Sequence, residues 1–178
     1  MKKLTLILLV GVLVVAIMAM AIAATTLAQG GGSFSTSLSG YEEVPAISTN
    51  GTGMFRATVN ADGTLIDYEL SYSGLSNTVA AHIHLGQKGV NGGVSAFLCG
   101  GGDKPACPAM EGTVTGTIDA ADVIGPNGQG IAPTQIRELV AAMNAGVTYV
   151  NVHTNDGVDP ANTGPGDFPG GEIRGQLD

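Results

Sequence analysis

The chain contains no tryptophan, only 4% of its residues are aromatic and only 12% are charged. Its 178 residues include 7 basic side chains against 15 acidic ones, three histidines and two cysteines. With a formal net charge of −8 and a pI near 4.6, it lacks the basic footprint that phosphate backbones require, which excludes a nucleic-acid binder. No run of like charges occurs, and the 44% apolar share is too high for a disordered chain. What is abundant is glycine, at 28 residues. That load rules out a long helical bundle or coiled coil, whose interiors tolerate such flexible positions poorly, and it suits many short strands joined by tight turns.

The N-terminus reads Met1-Lys2-Lys3, then an apolar stretch from Leu4 to about Ala24 broken by Thr5 and Gly11. A short basic start, an apolar segment and small residues near its end describe an export signal, expected over 1–28 with cleavage after Thr26-Leu27-Ala28; Ala21-Ile22-Ala23 is a second candidate. The alternative is an uncleaved membrane anchor, since the stretch is long enough to span a bilayer. Both place the domain outside the cytoplasm: secreted, periplasmic or at the cell surface. A membrane contact follows only if the leader is retained. Cleavage leaves 150 residues, with 5 basic against 15 acidic side chains and a net charge of −10. One domain of that size buries an adequate core.

Cys99 and Cys107 bound the segment Cys-Gly-Gly-Gly-Asp-Lys-Pro-Ala-Cys. In an oxidising compartment this reads as one local disulfide closing a Gly/Pro loop; the spacing is far from that of a zinc knuckle.

Residues 29–33, rich in glycine, read as a flexible spacer. Eight short strand-like runs follow: 34–38, 54–59, 65–72, 79–85, 94–98, 112–118, 147–152 and 172–177, separated by turn chemistry such as Asn60-Ala61-Asp62-Gly63. Leu65 to Tyr72 alternates with period two, the mark of a half-buried strand. The segment 133–144 differs. Ile136, Leu139, Val140 and Met143 fall at i, i+3, i+4 and i+7, with Pro133 near the start and Gly146 beyond the end, which predicts one amphipathic helix set as a plug over an open end of the β-structure. The expected fold is all-β, a Greek-key sandwich or barrel with that single helix.

All three histidines lie in strand-like stretches. Ala81-His82-Ile83-His84-Leu85 puts two imidazoles at i and i+2, on one face of a strand, and Tyr149-Val150-Asn151-Val152-His153-Thr154 carries the third. If the two strands are neighbours, His82, His84 and His153 converge into a set suited to copper or zinc, with a fourth position open to water or substrate. The alternative is a polar strand face whose histidines bond to backbone or carboxylates.

These blocks resemble the CHRD (chordin-type) domain. The resemblance rests on Ala81-His82-Ile83-His84-Leu85-Gly86, Tyr149-Val150-Asn151-Val152-His153-Thr154 and Gly170-Gly171-Glu172-Ile173-Arg174-Gly175-Gln176-Leu177, preceded by Leu38-Ser39-Gly40-Tyr41-Glu42-Glu43-Val44-Pro45. It spans 34–177 and implies an immunoglobulin-like or superoxide-dismutase-like Greek-key barrel. It also implies an extracellular protein partner, since copies within animal chordin belong to a secreted antagonist of bone morphogenetic proteins. Two stretches depart from the family pattern: the long connection 155–169 and the Cys99–Cys107 loop. His-x-His on one strand is similar to the copper strand of Cu/Zn superoxide dismutase, but no histidine remains for that enzyme's fourth copper ligand or its zinc set, so dismutase activity is not expected. A mononuclear copper site is not affected by that count.

Other groups complete the reading. Glu172 and Arg174 share a strand face, and cross-strand ion pairing is the expectation for them. The alternative role, shared with Asn151, is support of a metal-binding histidine from behind. Asp156, Asp159, Asn162 and Asp167 form an acidic loop that lacks the residue pattern of a calcium hand and reads as solvated. Met54, Met110 and Met143 are soft enough to ligate copper, although Met143 falls on the helix stripe and reads as core. Asn50-Gly51-Thr52 matches a glycosylation acceptor. There is no nucleophile elbow, no phosphate-cradling loop and no activated cysteine, so no catalytic residue is assigned. The sequence thus supports an exported binding domain holding a transition metal, copper before zinc by the general affinity series. The alternatives are an extracellular interaction or structural domain without metal, and a copper redox activity at the open coordination position.

Overall fold

A computed structural model describes residues 31–177. The leader expected over 1–28 lies outside the described residues. Among the described residues eight strands form, all paired antiparallel: β1 (Gly32–Ser39), β2 (Thr52–Val59), β3 (Ile66–Ser73), β4 (Thr78–Leu85), β5 (Gly93–Cys99), β6 (Gly112–Ile118), β7 (Thr148–Thr154) and β8 (Ile173–Leu177), with one α-helix, α1 (Ile136–Asn144), between β6 and β7. Each of the eight expected runs is a strand. β1 starts at Gly32, so two residues assigned to the spacer from sequence belong to the sheet.

The sheet order is β5-β4-β7-β8-β1-β2-β3-β6, and β5 and β6 at its two ends lie side by side. The sheet therefore curls into a nearly closed barrel in which β3 leads across to β4 and β5 returns to β6, a Greek-key path. The seam is bridged by Tyr68 on β3, whose hydroxyl donates to Leu98 O on β5 at 2.7 Å. Inside lies one apolar core, to which Phe55, Ile66, Leu70, Ile83, Leu98, Val150, Val152 and Ile173 contribute.

Helix α1 contributes Ile136, Leu139, Val140 and Met143 to that core, as its periodicity predicts. Met143, 1% exposed, is core rather than a ligand. The helix starts later than 133 because Thr134 adopts a left-handed φ of 70° while its N–H bonds to Val123 O. Gly146, just past the end, has φ 67° as a C-terminal cap requires. The helix lies at the barrel end where β1 begins, with the Asn144 side chain beside Gly32.

The two halves of the barrel differ. β2 and β3 alternate buried and exposed residues, so their outer face meets water. Every residue of β7 and β8 is buried, as are Ala81 to His84 of β4. The loops 40–51, 86–92 and 155–172 cover the outer face of this half, and the side chains beneath them are polar.

Candidate metal centre

Strand alternation decides what lies on that covered face. On β7, Val150 and Val152 point into the core, so Tyr149, Asn151 and His153 point outward. On β4, Ala81 and Ile83 enter the core, leaving His82 and His84 outward. The β4–β7 register pairs His82 with Asn151, His84 with Tyr149 and Ala80 with His153. The β4–β5 ladder shifts register on either side of His82 and Ile83, and such bulges re-aim side chains.

The result brings the three histidines together. One ring nitrogen from each of His82, His84 and His153 lies within 4.8 Å of the others, and the rings are 6–9% exposed. The backbone fixes the tautomers. His84 Nδ1 donates to Gly92 O at 3.0 Å and His153 Nδ1 donates to Pro169 O at 3.0 Å; a carbonyl can only accept, so both rings present Nε2 as a lone pair. His82 Nδ1 then donates to His153 Nε2 across 3.0 Å, which leaves its own Nε2 unprotonated. The Nε2 atoms of His82 and His84 are buried with no protein partner.

All three rings are held neutral. Burial depresses His82 to about 3, with the neighbouring His153 and His84 adding to the effect, and depresses His84 to about 4. His153 is also lowered by burial, against the bond to Pro169 O. Neutral imidazoles carrying Nε2 lone pairs, two of them anchored to backbone carbonyls through Nδ1–H, are the donor set a borderline metal ion takes. A transition-metal ion would be held by these three imidazoles, which would have to draw closer than their 4.8 Å spread to share it. A metal ion on His153 Nε2 would displace the His82–His153 hydrogen bond.

Around the trio, packing is aromatic. Phe97, paired with His82 across β4–β5, meets its ring edge-on at 4.5 Å. Tyr149 stacks on His84 at 4.8 Å, and Arg174 lies on Tyr149 with Cζ 3.4 Å from the ring centroid. The Tyr149 hydroxyl accepts from Gly92 N at 3.0 Å, so one glycine holds both His84 and Tyr149. A Cβ at Gly92 would collide with Leu85 O, so this close approach needs glycine.

The three supporting residues named from sequence divide. Arg174 is 2% exposed and reaches His84 through Tyr149. Among the described residues it forms no ion pair; its guanidinium donates to Asn91 Oδ1 and to the carbonyls of Gln87 and Val90. Glu172 likewise pairs with no cation. It precedes β8, and its carboxylate accepts from Thr49, Thr154 and Gly166 N, tying the loops 40–51 and 155–172 to the end of β7. The cross-strand ion pair expected of these two residues is thus replaced by hydrogen bonds to loops that fold over the face. Asn151 faces Glu43, to which its Nδ2 donates at 3.4 Å.

Glu43 was not singled out, although it lies in the Tyr41-Glu42-Glu43-Val44-Pro45 block. It is 6% exposed, and burial raises it to about 7 against the lowering influence of Arg174. Tyr149 and Phe97 were also missed; Tyr149 could have been found by extending the outward alternation of His153 and Asn151 two residues back.

The acidic loop does not gather. Asp156 and Asp159 are exposed, whereas Asp167 is 2% exposed and receives the N–H and hydroxyl of Thr163. A fully solvated loop is therefore corrected to one organised by an internal carboxylate. The disulfide Cys99–Cys107 is present. Among the described residues no helix is long and apolar enough to cross a membrane.

Scanned against protein-family models, the chain matches the CHRD domain over residues 34–177. The chain belongs to the CHRD family. Neither the curated proteins nor the solved structures compared with it match. The CHRD match covers every strand from β2 to β8, nearly all of β1, and all three histidines.

Proposed function

We infer that this CHRD chain is an exported binding domain whose His82, His84 and His153 hold one transition-metal ion, copper before zinc. One observation carries the reading. Three buried, neutral imidazoles from two adjacent strands present nitrogens within 4.8 Å, and two of their Nε2 atoms have no protein partner. An unsatisfied buried acceptor costs about 1–3 kcal/mol, and a bound ion removes that cost. An all-imidazole set suits copper and zinc alike, and the general affinity order places copper first. Three protein ligands leave a position for water or a small ligand. When bound, copper would supply one-electron chemistry at that position. The chain supplies the ligands, their tautomers and a shielded face. Export fits the Cys99–Cys107 disulfide and the extracellular setting of the family.

A second reading keeps the domain as an extracellular interaction module with no metal. It is favoured by the hydrogen bonds that already hold each ring: His82 to His153, His84 to Gly92 and His153 to Pro169. Metal analysis of the purified protein after loading with copper or zinc, beside His84→Ala, separates the two. The metal reading expects one equivalent in the wild type and its loss in the variant. Less than about a tenth of an equivalent at saturation, given ordinary site affinities, leaves the interaction module. Superoxide removal by the copper-loaded protein no faster than by free copper disposes of a redox activity.

A further inference from the structure

Beside the trio, a second set of buried polar groups is left unused. Glu43 Oε1 and Asn151 Oδ1 are buried without a well-formed hydrogen bond, and Glu43 Oε2 receives a long 3.4 Å bond from Asn151. Charge does not balance here either. The carboxylates of Glu43 and Glu172 and the guanidinium of Arg174 sit close enough to influence one another, two acids against one base. Glu172 has both oxygens bonded, and Arg174 donates to Asn91, Gln87 and Val90 rather than to either carboxylate. The uncompensated acceptor is Glu43.

Glu43 lines a cavity of about 350 Å³ between the loops 40–51 and 155–172. Its other walls are mostly apolar, with Val44, Pro45, Ile47 and Phe168, and Asn91 and Asn162 are the polar exceptions. The Asn151 amide stands where a Cβ on Gly171 would be, and Gly171 has φ 127°, so glycine lets this wall close over Asn151. A cavity of this size lies within the usual range for small-ligand sites.

The contents of the cavity select the ligand. Glu43 is the one charged residue on its lining, and a buried carboxyl with an oxygen left without a hydrogen-bond partner rejects anions and calls for a donor with positive charge. A hard metal ion needs six to eight oxygens, which aliphatic walls do not supply. An alkyl chain does match those walls. We propose that this cavity binds a primary ammonium group carried on an aliphatic stem, with Glu43 as its counter-ion and the stem against Val44, Ile47 and Phe168. Such a group is found on a free alkylamine and on a lysine side chain.

Calorimetric titration of the purified protein with n-butylammonium tests this, with n-butanol as the neutral probe of the same shape. Saturable binding of n-butylammonium is expected, at least tenfold tighter than n-butanol and weakened at least tenfold by Glu43→Gln. Equal binding of the two probes, unchanged affinity in E43Q, or no saturable binding overturns the proposal. If E43Q does not fold, Phe168→Ala takes its place, with at least a threefold loss expected and unchanged affinity counting against the site. Nα-acetyl-lysine N-methylamide and an unfolded lysine-containing peptide then identify the source. Binding of both points to a protein lysine, and exclusion of both while n-butylammonium binds points to a free amine.

Discussion

The imidazole of His84 and the ring of Tyr149 lie face to face, centroids 4.8 Å apart and planes 9° from parallel. Arg174 lies on Tyr149 at 3.4 Å, and the Tyr149 hydroxyl is held at Gly92, the residue that anchors His84 Nδ1. His84 is thus fixed by a stack and by a hydrogen bond that share one glycine. Tyr149→Phe keeps the stack and loses only the hydroxyl, so a stability cost of about 1 kcal/mol is expected, with copper affinity nearly unchanged. Tyr149→Leu removes the stack and frees the ring; copper affinity should fall by about 10–100-fold, the range for residues that orient ligands. Urea unfolding and competitive copper titration of the two variants check this. Equal affinities in both would show that the stack does not position His84.

Metal binding should depend little on pH where free imidazoles are sensitive. A free imidazole protonates near 6.5, but burial has depressed His82 to about 3 and His84 to about 4. His153 is lowered by burial as well, so copper affinity, corrected for the competitor's own protonation, is expected to hold through pH 6.5 and to fall only below it. Stability of the metal-free protein follows the opposite-state logic. Below about pH 6.5 the unfolded chain takes up protons that the folded chain refuses, so folding weakens as pH falls through that window. A copper affinity that halves near pH 6.5 would mean that the rings are solvated rather than buried.

Glu43 works in the other direction. Its folded value, raised to about 7 by burial, lies above the ordinary 4.5. Between those values the folded chain holds a proton that the unfolded chain has released, so stability falls as pH rises from about 4.5 to 7 and stays reduced above. The ceiling on this effect is about 3 kcal/mol. Glu43→Gln carries no such cost, so E43Q should gain on the wild type between pH 5 and pH 8, with the histidine contribution common to both. Urea unfolding at the two pH values measures the gain, and a difference independent of pH would refute it.

Much of this arrangement is legible in the sequence because it depends on local periodicity. Alternation marks the strands, the stripe of Ile136, Leu139, Val140 and Met143 marks α1, and His82 and His84 share a face by their spacing alone. The adjacency of His82 and His153, 71 residues apart, is different. It requires β4 to pair with β7, which the strand runs permit without dictating. Less legible still is the polar layer outside the barrel. Arg174 invites an ion pair on paper, yet the loop 86–92 folds over it and offers carbonyls, while Tyr149 offers a ring face. Glu43 resembles any acidic loop residue until the 155–172 loop closes against it. Both outcomes follow from long loops, whose paths carry no periodic signal.

The disulfide should be felt at the trio through Phe97. This ring meets His82 edge-on and fills the space above Gly101, inside the loop closed by Cys99–Cys107. Lys104 pins the same loop through Asp122 at 2.7 Å and Thr117 O at 3.1 Å. For a loop this short, the chain-entropy account gives about 2–3 kcal/mol of stabilisation. The double variant Cys99→Ser, Cys107→Ser should lose about that much, because Lys104 still holds one side of the loop but no longer its start. With Phe97 less confined, His82 loses an edge contact and gains water, so its ring should titrate closer to 6.5 and copper affinity should drop several-fold at pH 5 while changing less at pH 8. Histidine titration by NMR, beside copper titration at the two pH values, reads both effects. An unchanged His82 titration in a variant that has lost the expected stability would show that the loop stabilises the barrel without shielding the trio.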